Sequence, residues 1–360
     1  MTHILHVVGA RPNFIKAAPV LRALAGKKGI RQTLVHTGQH YDVNMSDIFF
    51  RQLGMPAPDV SLGVGSGTHA AQTAQVLLSL EPVLLEKKPD LVVVYGDVNS
   101  TMAAALVAAK LHIPVAHVEA GLRSGDRSMP EEINRIITDQ IADILFTPSK
   151  DGDKNLLREG VPSKKIHFVG NTMIDTLIRL LPAAKRPSFS LPASYALVTI
   201  HRPANTDDSA SLGQLMRALA DVAKKIPVIF PIHPRTRKRL SDMGLRPSSG
   251  LILLEPLGYL EFLALQKDAA LVITDSGGIQ EETTYLGVPC LTVRTTTERP
   301  VTIAQGTNKL VKDVSRLPSE AAAALKRGRK ASKPPKHWDG KAGERIASAL
   351  LAWSAQRRAA

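Results

Sequence analysis

Several short stretches of this 360-residue chain set charged residues or glycines directly after apolar runs, where they could do acid–base or anion-binding chemistry. Gly9-Ala10-Arg11-Pro12-Asn13-Phe14-Ile15-Lys16 lies between a strand-like run and a helical one. A glycine there lets backbone approach a ligand, a helix N-terminus attracts anions, and Arg11 and Lys16 add charge for a phosphate. Asp97 ends a wholly apolar run in Tyr95-Gly96-Asp97-Val98-Asn99-Ser100-Thr101, although a capping role for that turn reads equally well. Glu119 follows another apolar run in His117-Val118-Glu119-Ala120-Gly121-Leu122-Arg123, where a carboxylate is costly unless partnered or used. Glu131 and Glu132 open a helical stretch, where the helix dipole alone would accommodate them. Farther on, His201 and His233 follow strand-like runs at equivalent places, each before a proline or arginine. Asp275-Ser276-Gly277-Gly278-Ile279-Gln280-Glu281-Glu282 is the most specific of the set. Two glycines at a helix start free backbone N–H groups for a diphosphate, and Glu282, one turn in, is placed to accept both hydroxyls of a ribose. Arg299, in Thr297-Glu298-Arg299-Pro300, offers a further cation after the next strand.

Such residues need a scaffold that gathers the ends of strands. Short apolar runs alternate with amphipathic stretches, the pattern of a parallel sheet covered by helices. The first series comprises 4–8, 32–36, 91–95, 114–118 and 145–148, with helices over 14–25 and 101–111. The second comprises 196–200, 228–232, 251–254, 271–274 and 289–293. Two series in 360 residues imply two doubly wound, Rossmann-like α/β domains, because one core rarely accommodates so long a chain. The reading divides the chain into 1–170, 171–340 and a terminal helix in 341–360, with apolar spacing over 343–355. In open parallel sheets ligands bind at the carboxyl ends of the strands, where these segments fall.

Composition removes several classes of function. The net charge of +14 invites a nucleic-acid reading, but six of the cations lie in 326–336, which reads as a solvated connection. No helix-turn-helix signature, zinc-ligand spacing or aromatic platform accompanies them, so no nucleic-acid partner is expected. No run approaches the ~20 apolar residues that span a bilayer, so no membrane insertion is expected. One cysteine, Cys290, and an N-terminus that runs straight into a strand fit a cytoplasmic protein. Gly63-Val64-Gly65-Ser66-Gly67 is spaced unlike a dinucleotide fingerprint and has no clear strand before it, so it reads as a flexible loop.

Taken in order, these segments resemble the non-hydrolysing UDP-N-acetylglucosamine 2-epimerases over nearly the whole chain, from Gly9-Ala10-Arg11-Pro12 to Asp339-Gly340-Lys341-Ala342. His117–Arg123, Pro130–Arg135, Asp275–Glu282 and Thr297–Pro300 carry the likeness most specifically. The resemblance implies a glycosyltransferase-B-like fold with the active site in an interdomain cleft, a terminal helix crossing back to the first domain, and a homodimer. It implies Asp97, Glu119 and Glu131 as catalytic carboxylates, joined by His201 from the second domain. It implies contacts to the UDP-sugar from Arg11, Lys16, His233, Leu257, Phe262, Ser276, Gly277, Gly278, Glu282 and Arg299. Many members differ from this chain at Ala10, Asn13 and Pro203-Ala204.

The implied chemistry explains why several carboxylates recur. The C2 hydrogen has no neighbouring carbonyl, so departure of UDP from C1 must acidify it before a carboxylate can remove it. Re-addition of UDP with protonation from the other face inverts C2. Base, acid and oxocarbenium stabiliser are separate tasks, and none needs a cofactor or metal. Alternatives with the same fold are a UDP-2,3-diacetamido-uronic acid 2-epimerase, a hydrolysing epimerase, a nucleotide-sugar glycosyltransferase and a non-catalytic sensor.

Overall fold

Leu91-Val92-Val93-Val94-Tyr95 has no polar face, so it suits only a strand covered on both sides, and all five residues are buried. A computed structural model describes residues 1–39, 50–329 and 333–359. The chain divides into two units, Met1–Arg179 with Lys336–Ala360, and Leu180–Pro335. Each is a parallel sheet with covering helices, a Rossmann-like α/β arrangement.

The first unit pairs β1 (Thr2–Val8), β2 (Ile30–His36), β3 (Val60–Ser61), β4 (Leu91–Tyr95), β5 (Val115–Val118), β6 (Ile144–Thr147) and β7 (Ile166–Phe168). Their order is β3-β2-β1-β4-β5-β6-β7 and every pair is parallel. One side of its core joins Leu5, Val7, Val92 and Val94 to Leu80, Leu84, Ala104 and Ala108 of two helices. The second unit orders β8 (Ala196–Thr199), β9 (Val228–Pro231), β10 (Leu251–Leu254), β11 (Leu271–Thr274), β12 (Cys290–Thr292) and β13 (Asn308–Leu310) as β10-β9-β8-β11-β12-β13, again all parallel. Chain direction across each sheet reverses between β1 and β4, and between β8 and β11. At such reversals in open parallel sheets the loops after the two strands diverge, and ligands commonly bind in the crevice between them.

Three strands escape the sequence reading: β3, β7 and β13. All lie at sheet edges and span two or three residues, too short for a periodic signal. A two-residue strand, β3, therefore does precede the glycine loop at 63–67, which leads into the helix His69–Lys87. The basic stretch is not wholly a connection, since Lys326 and Arg327 end the helix Leu317–Arg327, and residues 330–332 lie outside the described residues.

The division also falls later than 170. The helix Thr172–Leu180, up to Arg179, stays with the first unit, where Thr176 Oγ1 donates to the carbonyl of Ile15 at 2.7 Å. The return begins at Lys336 rather than 341: Trp338 is fully buried and its Nε1 donates to Pro148 O at 3.0 Å. The last helix, Ala342–Ala359, then packs on the helix Arg11–Leu24. Its first amides, those of Ala342 and Gly343, donate to the carboxylate of Asp175 at 3.1 and 2.7 Å, which caps the helix from a neighbour.

Candidate active site and nucleotide cradle

In the first unit β4 and β5 lie side by side with Tyr95 opposite Val118, so Asp97 and Glu119 emerge from adjacent strand ends. Glu119 is 5% exposed and holds a left-handed backbone, φ 76°, which costs a non-glycine residue roughly 1–3 kcal/mol. Two amides from this turn, those of Glu119 and Ala120, donate to the single carbonyl of Phe146 at 3.0 Å each. Lys16 Nζ lies 2.9 Å from Glu119 Oε1, both side chains being 3% exposed. Lys16, expected from sequence to meet a phosphate, is thus buried beside a carboxylate. Gly96, φ 64°, makes room for it: a Cβ there would sit 2.6 Å from Lys16 Nζ.

Asp97 is held by Arg135, whose Nε and Nη2 lie 3.0 and 2.9 Å from Oδ2. The other arm of Arg135 meets Glu132, which also accepts the amides of Ser124 and Gly125 at 3.0 and 2.8 Å. Of the acidic pair at the helix start, Glu132 therefore braces the scaffold. Glu131 is half-buried and lines a pocket of about 280 Å³ with Gln39, His69, Asn99 and Asn134. Asn134 Nδ2 reaches the carbonyl of Asp97 at 2.9 Å, which ties that wall to the carboxylate's own turn.

Beneath lies a relay that sequence reasoning did not assign. His117, fully buried, has Nε2 2.8 Å from Gly96 O and Nδ1 2.7 Å from Asp139 Oδ1. Asp139 also accepts Gly121 N at 3.0 Å and Arg123 Nη1 at 2.7 Å. Burial pushes the Asp139 carboxyl up, but His117 and Arg123 outweigh it and hold it below the usual range. The signal was available in the helix Pro130–Ile141, where Glu132, Arg135 and Asp139 recur on one face. Arg11 opens the helix Arg11–Leu24 and is exposed. Asn13 accepts Gly9 N and Ala10 N at 3.0 and 3.2 Å and donates to Tyr95 O at 2.7 Å, a double role that a carboxylate could not fill.

The second unit places β8 beside β11 with Thr199 opposite Thr274, so the His201 and Asp275 turns adjoin. Ser276, Gly277 and Gly278 start the helix Gly277–Leu286, as the sequence implied. A Cβ on Gly277 would lie 2.6 Å from Glu298 Oε1, so a larger residue would have to displace the buried, ion-paired side chains of Glu298 and Arg299. Arg299 is not an open cation: Nε is 3.0 Å from Glu281 Oε2 and Nη1 meets Glu298, which also holds Arg294 Nη2 at 2.8 Å. Two buried cations and two buried anions alternate directly under the cradle, a neutral set that keeps each charge paired.

Glu282 accepts the phenol of Tyr259 at 2.9 Å. Burial pushes its carboxyl up to about 7, against the hydrogen bond from Tyr259. Leu257 and Phe262, half-buried, pack on the core layer of Tyr195 and Leu265 beside this helix. The ring of His233 is engaged locally, accepting Arg235 N at 3.2 Å as the cap of the helix Pro234–Asp242.

These geometries meet a consistent set of relatives. Residues 22–351 match the UDP-N-acetylglucosamine 2-epimerase family. A UDP-N-acetylglucosamine 2-epimerase of Methanocaldococcus jannaschii is 45% identical over 96% of this chain and 97% of its own. The UDP-2,3-diacetamido-2,3-dideoxy-D-glucuronate 2-epimerase of Pseudomonas aeruginosa is 46% identical over 86% and 88%. A crystal structure of the Methanocaldococcus jannaschii UDP-GlcNAc 2-epimerase with UDP-GlcNAc and UDP superposes with a TM-score of 0.90 at 43% identity, covering 98% of this chain and all of that one. With paired carboxylates at two strand ends of one sheet and a glycine cradle at the switch point of the other, the chain belongs to the UDP-N-acetylglucosamine 2-epimerase family.

Proposed function

We propose that this protein inverts C2 of UDP-N-acetylglucosamine, interconverting it with UDP-N-acetylmannosamine without releasing free sugar. The observation that supports this most is the carboxylate set of the first unit: Glu119 beside Lys16, Asp97 gripped by Arg135, and Glu131 on a pocket wall. A glycosyltransferase or a sensor has no need of three such groups. As the C1–O bond breaks, its electron pair leaves with the diphosphate. A carboxylate takes the C2 proton, and that C–H pair becomes the C1=C2 double bond of a glycal. Protonation of C2 from the opposite face, with return of the diphosphate oxygen to C1, completes the inversion. Asp97, Glu119 and Glu131 divide the proton transfers and the stabilisation of positive charge at C1.

The second unit holds the leaving UDP. The amides of Ser276, Gly277 and Gly278 face the diphosphate, Glu282 the ribose, and Leu257 with Phe262 the base. His201 serves the diphosphate oxygen as it departs and returns. Arg11, Lys16, His233 and Arg299 complete the electrostatic setting. The enzyme works in the cytoplasm as a homodimer; its one cysteine, Cys290, is buried, and among the described residues no helix is long and apolar enough to cross a membrane.

The comparable identity to the Pseudomonas aeruginosa enzyme, 46% against 45%, favours a second reading, the same inversion on a 2,3-diacetamido uronic acid. Incubation of the protein with UDP-N-acetylglucosamine in D2O separates the two. Deuterium at C2 of both epimers is expected. Labelling of the diacetamido uronic acid alone would transfer the assignment to it, and free N-acetylmannosamine with UDP would mean hydrolysis. Recovery of both substrates unlabelled would overturn the proposal.

A further inference from the structure

Asp275 directly follows β11 and precedes the cradle, yet its carboxylate points at the other turn. It is wholly buried. The amides of His201 and Arg202 donate to it, at 3.1 and 2.8 Å to Oδ2, and Asn205 Nδ2 adds a bond of 2.9 Å. The imidazole Nδ1 of His201 lies 3.1 Å from Oδ1, while the ring itself is 58% exposed. Arg202 Nε returns a bond to the Asp275 carbonyl at 3.0 Å, closing the two turns on each other.

We propose that Asp275 is the positioning residue that fixes the ring of His201 with its proton on Nδ1 and Nε2 presented to the diphosphate. A carboxylate can only accept, so the nitrogen facing it must donate, and the other nitrogen is left for the ligand. Burial pushes the Asp275 carboxyl up, but its bonds from His201, Asn205 and Arg202 prevail and hold it below the usual range, so it remains an acceptor. The same residue begins the Ser276-Gly277-Gly278 cradle, so ring and diphosphate are set by one rigid element. During elimination the ring, its Nδ1–H held on Asp275, takes up a second proton from solvent on Nε2, and that N–H donates a hydrogen bond to the diphosphate oxygen as it receives the C1–O electron pair; on return the bond is released and the second proton goes back to solvent.

This inference rests on the proposed role of His201, and the test keeps the two apart. In Asp275→Asn the amide oxygen can keep the Arg202 and Asn205 bonds while its NH2 faces Nδ1. The ring proton then moves to Nε2. With histidine labelled in 15N and UDP bound at alkaline pH, the His201 signal, assigned by its loss in His201→Asn, should show the Nδ1–H tautomer in the parent and Nε2–H in Asp275→Asn. Turnover should fall about 10²-fold or more with UDP affinity within about threefold. The double variant His201→Asn/Asp275→Asn should match His201→Asn alone within about twofold, since two residues acting as one unit do not add. An unchanged tautomer, undiminished turnover in Asp275→Asn, or losses that multiply in the double variant would overturn the proposal. Full activity in His201→Asn would instead defeat the role of His201, while the tautomer measurement would still judge the pairing.

Discussion

Asp175 carries a buried charge that the fold tolerates at a cost, and its replacement by asparagine tests the electrostatics of the whole return segment. The carboxylate is 7% exposed and caps the last helix through Ala342 N and Gly343 N. Burial pushes it from 3.8 up to about 6, although both amides oppose the shift. A folded value above the unfolded one means that stability is fully present below the unfolded pKa and is lost as pH rises through the folded one. The shift of about two units corresponds to about 3 kcal/mol forfeited at neutral pH, of which roughly 2 returns between about pH 7.5 and pH 4.5. Asparagine removes that charge but leaves one helix amide without its acceptor, a loss of about 1–3 kcal/mol at every pH. Asp175→Asn should therefore lie between neutral and about 2 kcal/mol stabilising at about pH 7.5 and between neutral and about 2 kcal/mol destabilising at about pH 4.5, with its relative stability changing by about 2 kcal/mol between them. Trp338 and Trp353 are the only tryptophans and both lie in the return segment of the first unit. Urea unfolding followed by tryptophan fluorescence thus reports the unit concerned. A difference between variant and parent that stays constant with pH would refute the reasoning.

Two further outcomes are expected. Asp97→Asn, Glu119→Gln and Glu131→Gln should each lower turnover by ~10²–10⁴ while UDP affinity, measured calorimetrically, stays within a few-fold, because these groups serve the sugar; full activity in any of them would remove that residue from the set. The ionised form of Glu282 accepts hydroxyls best, so UDP affinity should rise with pH through about 7. Glu282→Gln should flatten that dependence, and a parent whose affinity is level from about pH 6 to pH 8 would contradict it.

The central strands and the polar residues that follow them are legible in the sequence because burial on both faces leaves continuous apolar runs such as Leu91–Tyr95. The cradle is legible too, since two glycines at a helix start need little context to be understood. Partnership is not. Lys16 meets Glu119 across 103 positions, and His201 meets Asp275 across 74. Sheet order brings each pair together, and local periodicity records that a side chain is buried without recording what it is buried against. For the same reason Arg299 reads as a free cation until Glu281 and Glu298 are seen around it. The edge strands β3, β7 and β13 take their conformation from a neighbour's hydrogen bonds rather than from their own two or three residues. Sequence by itself determined two α/β units and the segments that carry chemistry. Tertiary structure alone decided which charges neutralise one another and which remain available to a ligand, because Coulomb energy depends on distance through space and not along the chain.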